Sequence, residues 1–293
     1  MLTERSNPKT YAIDRASSLE IVTIINAEDA TIAQTVQNAL PHIAAAVDII
    51  VASVQAGGHV FYVGAGTSGR LGVLDAVECV PTFGTSPTLF QAIIAGGESA
   101  FIQAVEGAED DFDAGATDLR AANLTAQDVV VGIAASGRTP YVLGAVAFGR
   151  NIGAQTIGIS CNSPAPLLEQ AQTPIAIPVG PEVIAGSTRM KAGTAQKMVL
   201  NMLSSASMIR LGKVYRNLMV DVKVTNEKLA RRARDIIVQL SDLSPDAAAS
   251  LLEQADHHVK TALVMHRKGL DATAARTLLD EHGGLLQHIL EET

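Results

Sequence analysis

Apolar residues recur with two different periods along this chain. Between residues 17 and 55 they fall three and four apart, as in Ile43, Val47, Ile50, Val51 and Val54. That is the repeat of a helix with one buried face. Pro41 divides two helices there, because proline suits a helix start better than a helix interior. After Gly57 and Gly58 comes a short unbroken run, His59–Val63, bounded by glycine at both sides, which predicts a buried strand. Similar runs recur at Leu89–Ala95, Val129–Ala134, Thr156–Ser160 and Ile175–Val179, with helix-patterned sequence between them. Alternation of this kind predicts an α/β fold, a parallel sheet covered by helices on both faces. Two longer helical stretches follow, Ser187–Arg210 and Val222–Gln239. Residues 241–246 read as a turn that caps the next helix, and short helical patterns broken at Gly269 and at Gly283 and Gly284 run on from there.

The organisation expected from this pattern has three parts: N-terminal helices over residues 1–56, a sheet domain over 57–240, and a small all-helical domain over 241–293. Neither a solenoid repeat nor a low-complexity stretch interrupts it. Hydrophobic residues make up 47% of the 293 positions, enough for a sizeable core. Aromatics are only 3% and tryptophan is absent, which speaks against a surface that stacks nucleobases. A net charge of −8 without a basic run speaks against nucleic acid and acidic membranes as partners. Cys79 and Cys161 lack metal or redox spacing and read as buried thiols in a reducing compartment. The polar N-terminus does not resemble a signal peptide, so the expectation is a cytoplasmic protein.

The first chemical motif, Gly64 to Arg70, directly follows the first strand and fits G-x-G-x-x-G. Alone that is a weak signal. A dinucleotide site needs an acidic residue about 20 residues on, at the end of the next strand, and that strand instead ends at Ala95, Gly96, Gly97 and Glu98. Thr67 and Ser68 add hydroxyls to a strand-to-helix turn whose N–H groups already favour an anion. Gly66, Thr67 and Ser68 therefore suit a phosphate monoester. A plain helix-capping turn is the competing reading. The second motif, Ile133 to Pro140, again joins a buried strand to a helix and carries Ser136, Gly137 and Thr139. Two such strand ends in one sheet converge where open α/β sheets bind ligands, so both loops are expected to hold one phosphate. Thr139 also fits a helix N-cap, and the two roles are compatible.

Together these loops resemble the phosphosugar loops of SIS (sugar isomerase) domains. The segment Gly180–Lys197 narrows the match, since it resembles the signature shared by N-acetylmuramic acid 6-phosphate etherases and the glucokinase regulatory protein. Thr3–Asn7, Leu74–Cys79, Val105–Asp110 and Asn217–Val222 are similar to further etherase segments. The resemblance covers essentially the whole chain, including a C-terminal region similar to ubiquitin-associated domains.

What the resemblance implies is an SIS-type sheet and a reaction without cofactor. The D-lactyl ether at C3 of a 6-phosphorylated amino sugar would be eliminated through the open-chain aldehyde, and water would then add. Such a route needs a base at C2 and an acid at the leaving oxygen. By resemblance Glu78 is the proton donor to lactate and Glu109 the second catalytic carboxylate; spacing alone does not separate Glu109 from Glu106. Glu182, Arg189 and Lys191 are possible substrate contacts, with ion pairing to Glu182 as the alternative for the two cations. The histidines offer no metal site, since His257 and His258 are adjacent and point to different helix faces.

A homodimer is expected. From Thr67 to Glu78 an unbroken helix advances roughly 16 Å, further than a hexose anchored at the helix start reaches. Glu78 would then serve the neighbour's pocket, unless the helix kinks or ends before Glu78; Pro81 predicts that it stops soon afterwards. A sugar-phosphate sensor or an aldose–ketose isomerase are the other function classes such loops support.

Overall fold

The computed structural model describes every residue except 223, 225, 292 and 293. By internal contacts the chain divides into two units. One comprises residues 1–77 and 87–204, the other 78–86 and 205–293.

The first unit opens with α1 (Ser18–Asp29), α2 (Ile32–Gln37) and α3 (Leu40–Gln55). Pro41 stands in the first turn of α3, where its missing N–H costs nothing. Ser17 starts α1 through a capping box with Glu20. Next comes the sheet and its crossovers: β1 (Val60–Gly64), α4 (Gly66–Phe83), β2 (Phe90–Ile94), α5 (Ser99–Ile102), α6 (Phe112–Ala121), β3 (Val129–Ile133), α7 (Pro140–Asn151), β4 (Gln155–Ser160), α8 (Pro166–Gln170), β5 (Thr173–Ala176) and the start of α9 (Lys191–Arg210). All five strands run parallel in the order β2-β1-β3-β4-β5.

Strand periodicity sorts the side chains to two faces. Phe61, Val63 and Val130 join Tyr141, Val142 and Val146 of α7, Leu119 of α6 and Leu167 of α8 in one core. From the opposite side of β1 the Tyr62 hydroxyl donates to Asp75 of α4 at 3.0 Å. Asp75 is buried and accepts further bonds from Asn201 and Ser204 of α9, at 2.6 and 3.1 Å. Burial pushes its carboxyl above the ordinary range, and these three donors oppose that rise. Helix α4 continues through Glu78 and ends at Phe83, two residues after Pro81.

The second unit holds β6 (Val214–Tyr215) paired antiparallel with β7 (Leu218–Met219), then α10 (Glu227–Leu240), α11 (Pro245–Gln254), α12 (Val259–Lys268), α13 (Ala272–Glu281) and α14 (Leu286–Leu290). Its core gathers Leu229, Ile236, Leu252, Leu263, Val264 and Ile289. Helix α10 begins later than its apolar pattern predicts, because Asn226 caps it by accepting from the Leu229 N–H; residues 223 and 225, inside the expected helix, lie outside the described residues. Gly269 ends α12 in the left-handed conformation. Among the described residues no single helix is long and apolar enough to cross a membrane.

Candidate active site

The connection from β1 runs to β2 on one side, while β3 adds on the other. The gap between β1 and β3 is therefore the point where strand order reverses, the usual ligand crevice of a doubly wound sheet. Gly64 and Ile133 are register partners at the carboxyl ends of these two strands. The two hydroxyl-bearing loops consequently leave the sheet side by side, from strands spaced about 4.8 Å apart.

In the first loop α4 starts at Gly66, so the N–H groups of Gly66, Thr67 and Ser68 have no carbonyl inside the helix to bond. Gly64 is forced by close approach, as a side chain there would meet the Gly69 nitrogen at 2.7 Å. Thr67 is half-buried and its hydroxyl is uncommitted among the described residues. Ser68 is 7% exposed and donates its hydroxyl to Gln196 Oε1 of α9 at 2.9 Å.

The second loop turns at Gly137, whose φ of +66° and lack of a side chain are both required. A methyl there would sit 2.5 Å from Ala165 Cβ. Ser136 Oγ accepts from the Arg138 N–H at 3.1 Å, which leaves its own hydrogen free. Thr139 occupies the N-cap position of α7, yet its side chain makes no capping bond. Behind this loop Asn162 is buried and donates to the Ala135 carbonyl at 2.8 Å and to Thr3 Oγ1 at 3.0 Å. Its Oδ1 accepts from the Leu2 N–H at 2.6 Å. The N-terminal segment thus braces the turn that presents Ser136.

Glu109 lies in a 3-10 turn, Ala108–Asp110, and is exposed. A cavity of about 200 Å³ is lined by Ala65, Gly66 and Arg70 beside the first loop, and by Glu106 and Glu109. Arg70 holds the facing segment by donating to the Phe101 and Gln103 carbonyls at 2.9 and 3.2 Å. Glu78 is exposed on α4, one turn after the exposed Leu74 (48%) and next to Val77 (61%). A larger cavity, about 890 Å³, lies along β2, α5 and α6. Its lining contains none of the Ser and Thr of the two loops, so the loops and not the volume locate the candidate site.

This architecture has close relatives of known name. The chain is 53% identical over 287 residues to N-acetylmuramic acid 6-phosphate etherase 2 of Lactiplantibacillus plantarum, covering 98% of this chain and 97% of that one. It is also 53% identical to the N-acetylmuramic acid 6-phosphate etherases of Bacillus subtilis and Escherichia coli, over 99% and 100% of this chain and 96% and 98% of theirs. The chain belongs to the N-acetylmuramic acid 6-phosphate etherase family.

The glucokinase regulatory protein N-terminal SIS domain family matches residues 42–150 of this etherase-family chain, the SIS domain family 107–206, and the C-terminal lid domain of glucokinase regulatory protein 216–263. Solved structures share the fold at low identity. A phosphoheptose isomerase from Francisella tularensis aligns with a TM-score of 0.51 at 18% identity, over 66% of this chain and all of that one. The phosphoheptose isomerase of Neisseria gonorrhoeae aligns with a TM-score of 0.50 at 14% identity, over 65% of this chain and 99% of that one.

Within the family signature, two of the three possible substrate contacts are otherwise engaged. Glu182 is fully buried and accepts from the Lys191 and Ala192 N–H groups at 2.9 Å each, capping α9. Burial pushes its carboxyl up, against those donors and the Lys191 charge. The Lys191 ammonium is buried against Glu28 at 2.7 Å, not against Glu182. Burial works against the Glu28 charge too, but Lys191, Lys9 and Asn7 hold its pKa down at about 2. Arg189 is exposed. Sequence reasoning does not single out Asn162 or Gln196. Each works through a partner more than a hundred positions away, which no local spacing records.

Proposed function

We propose that this chain cleaves the D-lactyl ether of N-acetylmuramic acid 6-phosphate, giving N-acetylglucosamine 6-phosphate and D-lactate. Family membership supports the reaction. The observation that carries its placement is the pair of hydroxyl-bearing loops in the β1/β3 crevice, with Glu109 and Gly66 lining one cavity.

In this reading Gly66, Thr67, Ser68, Ser136, Gly137 and Thr139 grip the 6-phosphate, which is an anchor and not a reactant. The sugar ring opens to its aldehyde, and Glu109 takes the C2 proton. The C3–O bond breaks, the electron pair leaves with lactate, and Glu78 supplies the proton lactate needs. Water then adds at C3 of the unsaturated aldehyde. Two carboxyls in different surroundings suffice for these transfers, so the reading includes neither metal nor redox cofactor. Arg189 remains available to the substrate carboxylate.

The reading includes a cytoplasmic homodimer. Leu74 and Val77 form an uncovered apolar strip on the face of α4 that carries Glu78, and apolar surface of this kind is what a second copy covers. Glu78 would then complete the neighbour's pocket.

Incubating the purified protein with N-acetylmuramic acid 6-phosphate and assaying D-lactate tests the reading. Release of lactate, retained after exhaustive chelation, is expected. Sugar-phosphate binding without lactate would replace the etherase with a sensor, and a ketose product would replace it with an isomerase.

A further inference from the structure

Ser68 has one hydroxyl hydrogen, and it is already spent on Gln196 Oε1. An ionised phosphate presents acceptors only, so a ligand arriving at this loop finds that hydrogen committed. Across the same amide, Gln196 Nε2 is buried with no hydrogen-bond partner among the described residues, in a side chain with no exposed surface. A buried donor left unmet in this way is destabilising, so any rearrangement that gives it an acceptor is favoured. Helix α9 abuts the loop at a second point, since a methyl at Gly193 would touch Thr67 Cγ2 at 3.5 Å.

From this we infer that Gln196 is the positioning residue of the phosphate loop, and that its amide turns over when phosphate binds. The inference rests on the reading that Ser68 binds the 6-phosphate. Half a turn about the last side-chain bond exchanges Oε1 and Nε2 with almost no change in shape. Nε2 then donates to Ser68 Oγ, and the Ser68 hydrogen swings to a phosphate oxygen. The orphaned N–H gains its partner, and a carbonyl is left short instead, which buried sites tolerate better. In the resulting chain each hydrogen bond polarises the next, so Ser68 becomes a stronger donor than an unsupported serine.

A double-mutant cycle on the full-length protein reads this directly, with N-acetylmuramic acid 6-phosphate as substrate and melting temperature as the folding control. Gln196→Met is expected to raise KM about tenfold with kcat nearly unchanged, as for lost uniform binding of an anion. Gln196→Glu keeps the shape but only accepts, so it holds the Ser68 hydrogen and is expected to be worse than methionine, by about a further tenfold. In a Ser68→Ala background, Gln196→Met is expected to add less than about twofold, because its target is gone. Should Gln196→Met not fold, Gln196→Asn, too short to reach Ser68, carries the same cycle. Full additivity of the two substitutions, or a glutamate variant milder than the methionine one, overturns the relay and leaves the phosphate loop intact. If Ser68→Ala itself leaves KM unchanged, the loop assignment falls, and the relay with it.

Discussion

Two polar clusters in the first unit use similar residues to opposite ends. At the start of α9, Glu182, Lys191 and Glu28 are buried and satisfied: each carboxylate oxygen of Glu182 has an N–H, and Glu28 has two ammonium groups and the Asn7 amide. At the β1/β3 crevice, Thr67, Ser136 and Thr139 keep hydroxyl hydrogens that nothing among the described residues takes up, and three N–H groups open α4. The first cluster holds structure together; the second has donors left over, and these are what an anion needs. Residue type alone puts Lys191 and Ser136 equally in a binding site. Unspent hydrogen-bonding capacity separates them.

Substitutions on the open side should have the larger effects. Glu109→Gln and Glu78→Gln should each lower kcat by about 100- to 10,000-fold, the usual contribution of a general acid or base. Both side chains are exposed, so melting temperature should barely move. The proposal that Glu78 completes a neighbour's pocket has its own test. Mixing Glu78→Ala chains with Ser68→Ala, Ser136→Ala chains should restore activity above either parent. If subunits exchange and activity does not return, Glu78 acts within its own chain.

The closed cluster should respond in the opposite sense. Glu28→Gln leaves the buried Lys191 ammonium unpaired and should cost roughly 3 kcal/mol of stability, with kcat per folded molecule retained. The pH dependence follows from the depressed pKa. Glu28 binds its proton more weakly folded, at about 2, than at its ordinary 4.5, so its contribution is complete above about pH 4.5 and is lost as pH falls toward 2. Urea unfolding of both proteins should therefore show a gap that narrows below about pH 4.5. A gap that is constant across that range would mean that the Glu28 charge is not what stabilises α9.

The sheet was legible because its signal is local. Short apolar runs placed all five strands within a few residues, and β1 and β3 carried their loops with them. Helix starts were less legible: α9 opens at Lys191 because Glu182 caps it from nine positions back, and no apolar period reports that. The β6/β7 hairpin, two residues a side, is too short to show a period. In the candidate site the hydroxyls were visible and their supports were not. Ser68 finds Gln196 across 128 positions and Thr3 finds Asn162 across 159, distances that only the folded chain closes.

The smallest expected effect gives the finest discrimination, because it compares two N-caps that sequence cannot tell apart. Ser244 starts α11 and its hydroxyl accepts from the Ala247 N–H, as an N-cap normally does. Thr139 starts α7 from the same position without using its hydroxyl for the helix. Removing a working cap costs about 1 kcal/mol, so Ser244→Ala should lose that much stability and leave kcat/KM alone. Thr139→Val removes a hydroxyl that does no capping and keeps the side-chain volume; stability should stay within about 0.5 kcal/mol. Its kcat/KM should nevertheless fall several-fold, roughly the value of one hydrogen bond to a charged ligand. Chemical denaturation and steady-state kinetics on the two variants measure both quantities. A stability loss at Thr139 equal to that at Ser244, with kinetics unchanged, would return Thr139 to the closed class of residues and leave the second loop with Ser136 as its only hydroxyl donor.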